Sequence, residues 1–412
     1  MADAAATVRD YLASHREAET RFLAELVKVP SDNPPGDCAA HAEAAARLLE
    51  GLGLTVERHP VPDEVVRANG MISCTNLVVR KRFGDGPVVA LNAHGDVVPP
   101  GEGWTKDPYG AEIVDGWMYG RGVAVSKSDF ATYAFALLAL EDAVAKGAKL
   151  GGTIELHLTY DEEVGGEIGP GWLLKEGISN PNIALGAGFS YAVTTAHNGC
   201  LHLEVQVDGR SAHAAMPWTG VDALEAATHI LGDLYAWRKT LAERRSEIEG
   251  IGSPQLTVGL IKGGISTNVV PDRVTFRLDR RMVPEERPEA VEAELTGVIQ
   301  DAAKDFPEAK VTVRRILLAR PLVPAEGGQR LTEILTRRAT EVMGEPVAAK
   351  GVPLYTDARH YAENGVPIVL YGAGPHTIQE ANAHRADERL PLDDLHKATE
   401  VVALTLLELL AR

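Results

Sequence analysis

Three carboxylates in a row, Asp161-Glu162-Glu163, close an apolar run, and Gly165 and Gly166 follow them. The run ahead, Thr153–Thr159, alternates in polarity as a strand does. A strand that runs out into adjacent acids and a glycine pair suits the holding of a cation and a base. Open α/β sheets bind their ligands beyond the carboxyl ends of the strands. Glu162 and Glu163 repel each other unless a metal ion or a proton separates their roles. A second cluster has the same placement, because the strand Val88–Asn92 runs into His94-Gly95-Asp96. A His two residues before an Asp can offer one ring nitrogen to a metal while the Asp accepts the other N–H, which fixes tautomer and orientation. Taken singly, the two stretches also read as a solvated acidic turn and an ordinary loop histidine.

The elements that must position these residues follow from periodicity. Residues 4–28 and 38–52 predict helices, separated by Ser31-Asp32-Asn33-Pro34-Pro35-Gly36, where prolines remove donors and disfavour helical geometry before them. Asn76–Val79, Val88–Asn92, Thr153–Thr159, Ile183–Leu185 and Pro367–Gly372 predict strands. Residues 104–122 form a turn-rich loop. Ser128 is placed as the cap of a helix starting at Asp129, with Phe130, Tyr133, Leu137 and Leu140 on its apolar side. Helices alternating with apolar strands argue for an α/β domain with a mostly parallel sheet flanked by helices. From about Asn198 the pattern changes to cleanly alternating strands (Leu201–Val207, Leu256–Ile261, Val274–Asp279, 311–317) with helices at 221–248 and 286–304. That β-α-β-β-α-β order describes an inserted α+β ferredoxin-like domain. The expected division is a discontinuous catalytic domain of residues 1–197 and 318–412, with a lid and dimerisation domain at 198–317.

Composition narrows the function classes. With 412 residues, 45% hydrophobic and 24% charged, the chain is long enough for two globular cores. Its net charge of −17 disfavours nucleic acid and anionic membranes as partners. No apolar run approaches the length of a membrane helix. Cys38, Cys74 and Cys200 form no CxxC pair, which argues against a disulfide framework and thiolate metal sites. The N-terminus lacks a secretory pattern, so the cytoplasm is the expected compartment. Neither a Gly-x-Ser-x-Gly elbow nor a phosphate-binding Gly-rich motif occurs, against a serine hydrolase or a nucleotide enzyme.

In combination, the motifs resemble the M20 family of metallopeptidases and aminoacylases. The resemblance rests on His94-Gly95-Asp96-Val97-Val98-Pro99, Tyr119-Gly120-Arg121-Gly122, Asp161-Glu162-Glu163-Val164-Gly165-Gly166 and Gly209-Arg210-Ser211-Ala212-His213 with Pro217 and Gly220. It continues through Gly263-Gly264 with Asn268-Val269-Val270-Pro271, Thr356-Asp357-Ala358-Arg359 and Ala383-His384, in order along nearly the whole chain. It implies hydrolysis of an amide bond in an N-acyl amino acid or small peptide. His94, Glu163 and His384 would be metal ligands, Asp96 would orient His94, and Glu162 would be the general base. His213 would stabilise the oxyanion, reaching a neighbouring subunit's site in a homodimer. Asn268, Arg281 and Arg359 would bind the carboxylate of a small-molecule substrate, since guanidinium grips carboxylate bidentately. The cofactor implied is a divalent metal, zinc first, with manganese or cobalt as alternatives.

Two positions depart from the family pattern. Val125 stands where a metal-bridging Asp belongs, and Gly188 falls about where a further carboxylate ligand belongs. Three readings follow. One ion per subunit is held by His94, Glu163 and His384; or Asp129 replaces the bridge; or the chain is a metal-free or non-hydrolytic homologue, either a small-molecule carboxylate-binding protein or an enzyme of altered chemistry.

Overall fold

In the computed structural model, which describes residues 2–412, the strand predicted before the acids forms over Thr153–Thr159 and pairs in parallel with Val88–His94, His94 opposite Thr159. Val88–His94 also pairs in parallel with Ile183–Gly186, which pairs in parallel with Ile368–Leu370. These four strands are the centre of an eight-stranded sheet. Its outer strands are Val56–Pro60 and Thr75–Arg82 on one side, Ala192–His197 and Ala348–Val352 on the other. The centre is parallel and the pairings that flank it are antiparallel. Near-continuous burial along Val88–His94 and Thr153–Thr159 is what strands covered on both faces require.

The helix Lys127–Ala145 is apolar nearly all round, which marks a helix enclosed by others. It packs against Ala2–Val27 and Leu392–Leu409. It begins two residues before the expected Asp129, and Ser128 does not cap it. Ser128 lies inside the first turn with its Oγ on the Ala124 carbonyl, while Ser126 precedes the helix. The turn-rich stretch before it holds a hairpin, Glu112–Val114 with Trp117–Tyr119. Asp115 and Gly116 both take positive φ there, as a two-residue hairpin turn demands. Arg389–Pro391 adds a third strand.

The chain divides into two compact units: Met1–Thr195 with Pro324–Lys350 and Thr356–Arg412, and Ala196–Val323 with Gly351–Tyr355. The second unit is a four-stranded antiparallel sheet in the order Gln255–Gly263, Arg273–Met282, Gly199–Asp208, Lys310–Ala319. Its helices are Ala223–Arg238 and Pro288–Ala303. Leu201, Leu203, Val205 and Val207 are buried in its core, so the intervening residues line the other face. The first helix stops well short of 248. After Arg238 a short 3-10 turn, Lys239–Glu243, buries Leu241, and the chain then turns irregularly back towards the edge strand at Gln255. Among the described residues no helix is long and apolar enough to cross a membrane.

Candidate metal and active site

Parallel pairing carries His94 and the acidic turn to the same end of the sheet, and the backbone then fixes each side chain. Ser126 Oγ both accepts from His94 N–H and donates to the His94 carbonyl, each at 3.0 Å. His94 Nδ1 lies 3.0 Å from the Asp96 carbonyl and 3.4 Å from Asp96 Oδ1, so Nε2 faces the acids. Asp96 is the organiser of the cluster. It accepts from Asn33 Nδ2 at 2.9 Å, Glu162 N–H at 3.2 Å and Glu163 N–H at 3.1 Å. One carboxylate thereby orients the imidazole and also holds the 3-10 turn Glu162–Val164 that carries both glutamates.

Glu162 Oε2 lies 3.9 Å from His94 Nε2, and one ligand atom from each of His94, Glu162 and Glu163 falls within a 4.8 Å cluster. His384 arrives from the C-terminal segment with Nε2 3.5 Å from Glu163 Oε1, on a residue held at φ 61°. Burial and the neighbouring Glu163, Asp96 and Asp161 charges push the Glu162 carboxyl up to about 8, against the pull of His94. Burial works against the His94 cation, but Glu162, Asp96 and Glu163 raise its pKa well above the usual histidine value. Contact with Glu163 raises His384. Neutral imidazole and carboxylate oxygen are the donors that a divalent zinc-like ion takes; His94, Glu162 and Glu163 converge as such a set, whereas His384, expected as the third ligand, meets Glu163 but lies outside that cluster.

The two departures have a structural counterpart. Val125 packs against the main core. At Gly188 an added Cβ would meet Tyr371 N at 2.9 Å and the Leu370 carbonyl carbon at 3.1 Å, so the neighbouring backbone fills the place of a side chain. Asp129 is buried with Oδ1 accepting from Ala373 N–H at 2.9 Å and a further bond from the Gly188 backbone.

Several residues that sequence reasoning gave no role surround the site. Asn33 sat in a segment read only as a helix breaker. Asp357, although part of a quoted motif, is a buried carboxylate whose two oxygens have no hydrogen-bond partner. Burial and the Glu162 charge raise its pKa, so a proton offsets its cost. A Cβ on Gly166, at φ 74°, would fall 2.1 Å from Asp357 Oδ1, which explains the glycine. Glu388 and Arg121 form a buried pair at 2.6 Å. Arg359, which the resemblance placed at the substrate carboxylate, is buried, donating to the Gly165 carbonyl at 2.6 Å and to Glu167 at 2.8 Å, and so clamps the acidic loop.

The other predicted residues lie on the second unit. His213 bridges to Val269, and Ala214 N–H donates to the Asn268 carbonyl, which sets His213 and Asn268 side by side on an exposed loop pair. Arg281 sits on the strand Arg273–Met282 with Nε 3.0 Å from Asp279 Oδ1 and its guanidinium over Tyr355.

The first unit is thus an open-sheet α/β domain with a His and Glu donor cluster of metal-binding type at its strand ends. The profile of peptidase family M20/M25/M40 matches residues 90–408, and the chain belongs to that family. It is a hydrolytic enzyme of a metal-dependent, amide-cleaving family. The chain is 28% identical over 391 residues to a succinyl-diaminopimelate desuccinylase of Wolinella succinogenes, covering 92% of this chain and 97% of that one. It is 29% identical to an acetylornithine deacetylase of Myxococcus xanthus, covering 92% and 94%. An M20 family metallo-carboxypeptidase of Sulfolobus solfataricus has the same fold, with TM-score 0.75 at 18% identity over 94% of this chain and 98% of that one.

Proposed function

We propose that this enzyme cleaves the amide bond of an N-acyl amino acid or small peptide, with Glu162 as its general base. The observation that carries the reading is the placement of the Glu162 carboxylate, 3.9 Å from His94 Nε2 beside Glu163, on a turn that Asp96 holds. A base whose pKa lies near neutrality can both take and return a proton. His94, Glu163 and His384 are the residues that would hold a divalent ion, zinc in the first instance. When bound, such an ion supplies Lewis-acid polarisation and lowers the pKa of a water to about 7. Val125 and Gly188, which leave a second ion without ligands, support one ion at this site.

Glu162 takes the proton from the attacking water and later delivers it to the leaving nitrogen. Asp96 keeps His94 and both glutamates in register throughout. His213 donates to the developing oxyanion, from the partner copy of a homodimer built through the second unit. Asn268 and Arg281 grip the substrate carboxylate, while Arg359 holds the acidic loop in place. The relatives named for removing succinyl and acetyl groups support an N-acyl substrate.

Glu162→Gln removes the base and keeps its shape. Turnover of a panel of N-acyl amino acids and dipeptides should fall by about 10²–10⁴-fold, with metal content unchanged. Near-normal turnover in that variant sinks the mechanism.

A further inference from the structure

The second unit carries another convergent donor set, remote in sequence from His94, Glu162 and Glu163. On the strand Gly199–Asp208, Cys200 and His202 lie two residues apart and share the face opposite the core-facing Leu201 and Leu203. The neighbouring antiparallel strand sets Asp279 directly across from His202, and Arg281 across from Cys200. Cys200 Sγ lies 3.1 Å from His202 Nε2 and 3.7 Å from Asp279 Oδ1, and His202 Nε2 lies 3.2 Å from Asp279 Oδ2. One ligand atom from each falls within a 4.8 Å cluster.

We propose that Cys200, His202 and Asp279 form a second divalent-metal site, for a thiolate-accepting ion of the zinc class. A tetrahedral ion with ordinary zinc–sulfur, zinc–nitrogen and zinc–oxygen bonds needs its ligand atoms about 3.4–3.6 Å apart. The sulfur–nitrogen separation of 3.1 Å lies within half an ångström of that, and the two Asp279 oxygens lie 3.7 Å from the sulfur and 3.2 Å from the nitrogen, so a small turn of the carboxylate sets one oxygen against both. Glu204 is paired to Arg277 at 2.7 Å and to Arg314 at 2.8 Å, plain ion pairs of a solvated sheet.

Charge and access suit the proposal. A thiolate and a carboxylate balance a divalent ion. Arg281, which donates to both Asp279 oxygens, orients the ligating carboxylate as an outer partner does. Cys200 is buried, whereas His202 and Asp279 retain 36% and 29% side-chain exposure, giving an ion a path and leaving a fourth position open. The register of two paired strands fixes the three donors in place, so little must be ordered on binding.

Cobalt(II) is the probe, titrated into metal-depleted full-length protein under reducing conditions. The expected result is a thiolate-to-cobalt charge-transfer band in the near ultraviolet, which the nitrogen and oxygen ligands around Glu162 do not give. Cys200→Ser should abolish the band and lower bound cobalt by one ion per chain. His202→Ala should shift its titration to higher cobalt. Glu163→Gln should lower bound cobalt at the first site and leave the band intact. No band in the unsubstituted protein at saturating cobalt overturns the assignment, and so does a band that survives both lid-unit substitutions.

Discussion

Asp96 shows at the scale of one residue how much a single carboxylate can arrange. It joins Asn33, His94 and the backbone of Glu162 and Glu163, so the separation of base from ligand depends on it. Lys127, close by in sequence to the missing ligand Val125, is the more unusual buried charge. Its Nζ donates to the Val29 carbonyl at 3.1 Å, and burial lowers its pKa to about 7 despite the Asp32 and Glu388 charges. Between that value and the ordinary 10.5, the unfolded chain holds a proton that the folded chain lacks, so stability rises with pH across the window. Below about pH 7 both states are protonated, and keeping the charge buried costs on the order of 5 kcal/mol. Lys127→Met should therefore flatten the pH dependence of urea unfolding between pH 7 and 10. An unchanged slope would show that the lysine is not what titrates.

At the scale of elements, the loop that delivers His384 is tied down just past that residue. Glu388 accepts from Ala124 N–H at 3.1 Å, Val125 N–H at 3.3 Å and Arg121 Nη1 at 2.6 Å, and Arg121 also reaches the Arg385 carbonyl. Asp387 accepts from Thr105 N–H at 2.8 Å. Positive φ at Asn382, His384 and Asp387 marks a loop held in a conformation that non-glycine residues rarely adopt, as at many functional sites. Glu388→Ala leaves a buried guanidinium without its partner, and denaturant unfolding should show a loss of about 3–5 kcal/mol. Glu388→Gln, which keeps the acceptor for the Ala124 and Val125 amides, should recover part of it. A loss under about 1 kcal/mol in the alanine variant would mean that the pair does not anchor the loop. The elements themselves were largely legible, because long apolar periodicity survives tertiary context. The hairpin at Asp115-Gly116 and the true start of the helix at Lys127 were not. The first is only three residues per strand, and at the second Ser126 is recruited by His94 across the sheet.

At the scale of the whole molecule, an ion at the His94 site would relieve the mutual repulsion of Glu162 and Glu163. Divalent metal should raise the Tm in a concentration-dependent way, by about 2.7 kcal/mol of added stability at a hundredfold excess over Kd. Chelation should reverse the gain, and Glu163→Gln should shrink it; a Tm indifferent to metal in both proteins removes the ion from the account. The sequence by itself determined the family motifs, the alternating helices and strands, the acids at a strand end, and the absence of a ligand side chain at Val125 and Gly188. Those are local properties of residue type and spacing. Only the tertiary structure decided that backbone fills the space beside Gly188 and that Asp129 bonds to the Ala373 amide. It alone paired Glu388 with Arg121, more than two hundred residues away, and brought Cys200 and His202 to Asp279. Strand register and loop closure make those contacts between segments far apart in the chain, and no periodicity within either segment encodes the meeting.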